Sequence, residues 1–266
     1  MKILALLKHV PDSTATIKVR EDGSGIETAG VKFVTNPFCE FAIEAALQFN
    51  EKNPTASAEI TAMTLGSAAS VEVLRTAFAM GADHAIHLCD DQFQGLDDLT
   101  IGRVLAAAIK DRGFEIVFAG KYAIDYDRGQ VGPALAECLG WPHVGTVTGI
   151  EWGDGFKTAT ARRRIEGAEE VVEVRLPAVF CIDKGYVEPR YPSLPGLMKA
   201  KKRPIETLDA AALGLDAAAL SPEAMGTSAG RFEPPPPRPP GRKLEGEPEA
   251  QVSELVRILR DEEKLL

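Results

Sequence analysis

Long apolar runs, paired cysteines and an excess of positive charge are all missing from this 266-residue sequence, and each absence removes a class of function. The opening "MKILALLKHV" is too short to span a bilayer, which takes about 20 apolar residues. It runs on into polar, strand-like sequence with no small-residue cleavage site, so a cytoplasmic protein is expected. A formal charge of −9 leaves no broad cationic face for a phosphate backbone, and no nucleic-acid partner is expected. The cysteines, Cys39, Cys89, Cys138 and Cys181, are scattered with no C-x-x-C and read as buried thiols in a reducing compartment. His9, His84, His87 and His143 lack metal-ligand spacing, and His84 and His87, three apart in a strand, point to opposite faces. Also absent are G-x-x-x-x-G-K-[ST], G-x-G-x-x-G after the first strand, G-x-S-x-G and H-E-x-x-H. No catalytic residue and no metal ligand is nominated.

What is present is 45% hydrophobic residues, enough for one sizeable core. Apolar runs of strand length at 2–7, 59–64, 84–89, 115–119 and 178–183 alternate with helical patterns, which predicts a doubly wound, mainly parallel α/β sheet. A helix over about 37–50 opens with Asn36 as N-cap and Pro37 at its first position. Further helices are expected over about 69–80, stopping at Gly81, over 99–112, and from near Gly129 to Gly140. "DGSG" predicts a hairpin inserted at the sheet edge. After Trp141 three runs add an antiparallel region, and the core is expected to end near residue 190. Residues 221–248, with "EPPPPRPPGRKLEGEP", read as an extended linker. The terminal helix places Val252, Leu255, Val256 and Leu259 on one face and predicts docking on a partner chain.

In a doubly wound sheet, ligands bind beyond the carboxyl ends of the strands. The segments expected to converge there are Leu6–His9, "TLGSAAS" at 64–70 and "GKYAIDYDRGQVGP" at 120–133. Backbone N–H groups around Arg128–Val131, at the start of a helix, suit a phosphate. Asp125 or Asp127 would then accept ribose hydroxyls or fix the loop internally. An ordinary Asx-rich turn capping a helix fits the spacing equally well.

The combination "NPFCEFAIEAALQ", "LRTAFAMGADHAIHL", "GKYAIDYDRGQVGPALAECLGWP" and "EPRYPSLPGLMKAKKRPIE" closely resembles the beta subunit of electron-transfer flavoproteins over about residues 1–206. The resemblance implies an adenine-nucleotide-binding type of fold and a heterodimer with an alpha subunit that carries most of the FAD site, the beta chain adding a structural AMP. It implies an electron carrier rather than a catalyst, taking electrons from acyl-CoA-type dehydrogenases to a membrane-bound quinone-reducing oxidoreductase or another acceptor. The AMP site maps to Leu6, to Asn36, Pro37, Phe38 and Cys39, to Leu65, and to Ala123, Ile124, Asp125, Asp127, Arg128, Gly129, Gln130, Val131 and Gly132. A partner-recognition loop maps to 188–199, with Leu194 as an exposed anchor, Pro195 beside it and Lys199 following. On this reading residues 1–206 are the nucleotide-binding domain, and residues 207–266 are a Pro-rich arm and helix docking on the alpha subunit.

Three departures from the family pattern bear on the cofactor. The Val131-Gly132-Pro133 ending is closer to electron-bifurcating members, which implies as the alternative a second FAD in place of AMP together with an NADH site in the beta chain. Against it, "GLDDLTIG" lacks the hydroxyl-rich run those members place beside that flavin, and Arg103 resembles the simple carriers. Arg164 replaces a Glu that carriers use near the FAD domain. A standalone nucleotide-binding signalling module would have no use for the recognition loop or the arm.

Overall fold

The computed structural model describes residues 1–238 and 240–266. Its elements are β1 (Lys2–Leu7), β2 (His9–Pro11), β3 (Phe33–Thr35), α1 (Pro37–Lys52), β4 (Glu59–Leu65), α2 (Val71–Met80), β5 (His84–Leu88), α3 (Asp98–Ile109), β6 (Phe114–Gly120) and α4 (Val131–Leu139). Then come β7 (His143–Trp152), β8 (Thr158–Ile165), β9 (Ala168–Arg175), β10 (Ala178–Ile182), α5 (Leu194–Ala200), β11 (Glu206–Leu208) and α6 (Pro248–Arg257). The apolar runs form strands because both faces of each are covered. In β1, Ile3, Ala5 and Leu7 enter one core and Leu4 and Leu6 the other, the two-residue alternation of a strand buried on both sides.

Among the described residues the main sheet runs β11-β5-β4-β1-β6-β10-β7-β8-β9. It is parallel from β11 to β7 and antiparallel over β7, β8 and β9. Residues of α1 and α2 fill the core on one face, and those of α3 and α4 fill it on the other. From β1 the chain winds to β4 and β5 on one side and returns through β6 to the other. The switch of direction therefore falls between β1 and β6, where a crevice opens at the strand ends. On the α1 face Phe118 lies opposite Phe180 with ring centroids 6.0 Å apart, and Trp152 meets both edge-on at 6.4 and 5.8 Å. Truncating either fully buried Phe to Ala would cost about 3–5 kcal/mol.

Several expectations need correction. The core does not end near residue 190: β11 pairs with β5, and Ala210 and Leu220 are buried in the α3/α4 core. Residues 221–227 are not free linker, because Asp97 Oδ2 accepts from Gly226 N at 2.8 Å and Thr227 N at 3.1 Å. The "DGSG" segment is not inserted at the edge of the main sheet. Among the described residues its flanks form one antiparallel bridge, Val19 to Ile26, while β2 and β3 make a separate two-stranded sheet. Cys39 and Cys181 are buried as expected, but Cys89 is half-buried and Cys138 is exposed.

Residues 1–17 with 27–230 form one compact unit, and residues 18–26 with 231–266 form a second. In the second, Phe232 N donates to Gly23 O at 2.9 Å. The helix α6 is pinned by Arg257 to Glu254 at 2.8 Å and exposes Val252, Leu255 and Val256. The stretch 233–238 carries no helix or strand, and Pro239 lies outside the described residues. Among the described residues no helix is long and apolar enough to cross a membrane.

Candidate functional site

A cleft of about 160 Å³ lies at the switch point. The ends of β1, β4 and β6 supply Leu6, Leu7, Lys8, Met63, Leu65, Ala119 and Gly120. Helix α3 contributes Asp98, Ile101 and Leu105, one helical face by their spacing, and Asn36 and Cys39 come from the start of α1. The remaining wall is the loop from Lys121 to Gln130 with Val131 and Gly132 of α4.

Asn36 organises this wall. Its backbone occupies the N-cap position of α1, but its side chain makes no capping bond, contrary to the sequence expectation. The fully buried amide instead donates from Nδ2 to Tyr122 O at 2.9 Å and to Cys39 Sγ at 3.2 Å, and Oδ1 accepts from Ile124 N at 3.1 Å. The capping role is lost because the nearby loop offers three partners to a buried amide that has to satisfy both its ends. Two glycines allow the close approaches. A Cβ on Gly120 would sit 2.7 Å from the backbone carbon of Phe38, and one on Gly132 would collide with Cys181 Sγ.

The loop is braced by ion pairs and aromatic contacts. Asp125 accepts from Lys8 Nζ at 2.9 Å, which ties it to the end of β1. Phe38 and Tyr122 meet in a tilted pair with centroids 4.4 Å apart. Tyr126 is flanked by two cations, Lys8 Nζ at 5.0 Å and Arg128 Cζ at 4.8 Å from its ring centroid. Lys121 pairs with the buried Asp183 at 3.1 Å, and Arg164 reaches the same carboxylate at 3.4 Å. Arg128 stands 3.7 Å from Asp98, too far for a hydrogen bond, and Asp98 Oδ2 has no hydrogen-bond partner among the described residues. Left-handed backbone at Asp127 (φ 52°) and Gly129 (φ 65°) turns the chain into α4. Among the described residues, the N–H groups of Arg128, Gly129, Gln130 and Val131 donate to no protein acceptor. Burial raises the Cys39 thiol above its ordinary range and pushes Cys181 up to about 12.

Of the residues singled out from sequence, Leu6, Asn36, Cys39, Leu65, Ala123, Arg128, Gly129, Gln130, Val131 and Gly132 line the cleft. Pro37, Phe38, Ile124, Asp125 and Asp127 are not in its lining. Ile124 bonds to Asn36, Asp125 holds Lys8, and the exposed Asp127 donates its N–H to Ala123 O. Asp98, Ile101 and Leu105 also line it and were not expected there, while Lys121, Tyr122 and Tyr126 line it from within the expected 120–133 segment. The spacing of the first three on one face of α3 was the available signal. Arg103 is not in the wall, and its guanidinium lies 3.5 Å from Ala224 O. Leu194 is not in a loop: it opens α5, where Ser193 Oγ accepts from Gly196 N at 3.1 Å. Pro195 follows in the first turn and Lys199 in the last, both exposed.

An open, mainly parallel sheet wound in both directions, with its crevice at the switch point, defines a protein of the doubly wound α/β class. The model of the electron transfer flavoprotein domain matches residues 24–213. The electron transfer flavoprotein subunit beta of Bacillus subtilis is 39% identical over the whole of both chains. That of Mus musculus is 38% identical over 97% of this chain and 99% of its own. The mitochondrial subunit beta of Arabidopsis thaliana is 38% identical over 81% and 84%. The chain belongs to the electron transfer flavoprotein family, on its beta-subunit side, and its work is electron transfer.

Proposed function

We propose that this chain pairs with an alpha subunit that carries most of the FAD site, and that its own cleft holds AMP as a structural nucleotide. The observation that carries the reading is the run of free N–H groups from Arg128 to Val131 at the start of α4. Such donors, with the positive end of a helix dipole, suit a terminal phosphate, and the guanidinium of Arg128 adds a charge not committed to a hydrogen bond. The apolar floor of Leu6, Met63 and Leu65 suits a base. The α3 wall of Asp98, Ile101 and Leu105 presents no hydroxyl to a second flavin, which favours AMP over a second FAD.

In this reading FAD supplies the redox chemistry, and the chain binds, orients and docks. Electrons pass from an acyl-CoA-type dehydrogenase to a membrane-bound quinone-reducing oxidoreductase or another acceptor, in the cytoplasm. Leu194, 79% exposed at the start of α5, anchors the dehydrogenase. The arm, with the apolar face of α6, docks on the alpha subunit. Co-expressing both chains, denaturing the purified heterodimer and separating the released nucleotides tests the proposal: one FAD and one AMP are expected, and two FAD with no AMP would overturn it.

A further inference from the structure

Glu44 lies on α1 with 2% of its surface exposed, where an unpaired carboxylate would be costly. Arg190 answers it from three nitrogens: its backbone N donates to Oε2 at 3.2 Å, Nε to Oε2 at 2.8 Å and Nη2 to Oε1 at 2.9 Å. The same guanidinium reaches Glu51 at 2.6 and 3.1 Å. Only a planar fork serves two carboxylates in this way, and a lysine cannot. The next residue, Tyr191, is 97% exposed, and Leu194 and Met198, four apart on one face of α5, are 79% and 74% exposed. Beyond them the chain is fixed again. A Cβ on Gly196 would meet Ala79 O at 2.8 Å, and Arg75 Nη1 donates to Ala200 O at 2.7 Å and Arg203 O at 2.5 Å. The segment is therefore bolted at both ends while its largest apolar side chains face outward.

We infer that Arg190, through Glu44, and Arg75 are positioning residues that hold Leu194 and Met198 in their docked geometry before the partner arrives. A preformed anchor avoids the ordering cost that a free loop would meet on binding. The inference rests on the docking reading above. The occupant is an apolar socket rimmed by carboxylates on the electron-donating dehydrogenase: Lys199, Lys201 and Lys202 are exposed beside the anchor, while Glu44 and Glu51 are already taken by Arg190.

The test uses the heterodimer with an acyl-CoA dehydrogenase as donor, following flavin reduction as the carrier concentration is varied, with amide hydrogen exchange over 194–200 as a second readout. Arg190→Lys is expected to raise KM for the carrier about tenfold with kcat unchanged, to speed exchange in α5, and to leave photochemical reduction of the flavin as it was. Arg75→Lys, acting from the other end, should do the same and serves if Arg190→Lys does not fold. Leu194→Ala should raise KM without changing exchange. If Leu194→Ala raises KM while both lysine variants leave KM unchanged, the positioning role is refuted and docking stands. If Leu194→Ala leaves KM unchanged, the docking reading itself fails and the positioning role goes with it.

Discussion

Replacing Asn36 by alanine removes three hydrogen bonds from a side chain with no exposed surface. The contact with Cys39 Sγ is weak, and the cost lies with the two backbone groups left behind, Tyr122 O and Ile124 N–H. Each unpaired group costs about 1–3 kcal/mol when buried. Both residues are half-buried, so the total should fall at the low end, about 2 kcal/mol. That corresponds to a fall of about 5 °C in melting temperature for a chain of this size. The loop from Lys121 to Gln130 is the wall that Asn36 holds, so nucleotide retention should fall further than global stability. Asn36→Asp sharpens the test. Its carboxylate keeps an acceptor for Ile124 N but turns an oxygen toward Tyr122 O, and a buried charge with no cation bonded to it should make it worse than alanine. Calorimetric melting of the heterodimer and chromatographic AMP content are the assays. An Asn36→Ala protein with unchanged melting temperature and full AMP would refute the strapping role.

Gly132→Ala would ordinarily gain up to about 1 kcal/mol of helix propensity, but its methyl would strike Cys181 Sγ. A loss of about 1–3 kcal/mol is expected in denaturant unfolding, and Gly132→Ala with Cys181→Ala should recover most of it; additive losses would count against the contact. Under native conditions a maleimide reagent should label the exposed Cys138 first, the half-buried Cys89 slowly, and Cys39 and Cys181 only after denaturation, which mass spectrometry of the labelled peptides can check. Burial pushes Asp97 up, but the hydrogen bonds from Thr100 and from the N–H groups of Gly226 and Thr227 outweigh it and hold the carboxyl below its ordinary range. The folded state therefore binds the proton less readily than the unfolded chain. The resulting stability is present above about pH 4 and is lost as the pH falls through the folded-state value. Asp97→Asn should flatten the acid side of the stability curve, and a curve parallel to the parent would remove Asp97 as a contributor.

The parallel core was legible because strands buried on both faces carry unbroken apolar runs, as in "KILALL" and "AVFCI". Helix starts and stops were legible where one residue decides them, as at Pro37 and Gly81. Asn36 stands at the N-cap and in the cleft as the sequence implied, but its side-chain bonds were not legible, because its partners lie 86 and 88 residues away. Asp98 entered the site through packing of α3, and its helical spacing with Ile101 and Leu105 was the one mark it left in the sequence. Residues 206–208 form only three rungs of a ladder on β5, too few to leave a two-residue period.

Those three rungs have a consequence for any shortened form of the chain. In the sheet order β11 stands outside β5, and the chain reaches it only after leaving β10 and building α5. A truncation before Glu206 would leave Ile86, His87 and Leu88 as an open border of unpaired N–H and C=O groups on an otherwise apolar strand. Such borders recruit strands from other molecules. At the opposite border β9 is guarded by charge, with Glu169, Glu170 and Glu173 exposed along it. The β5 side has only its short strand as a guard, so a protein cut at residue 205 should self-associate while one cut after Gly230 should not.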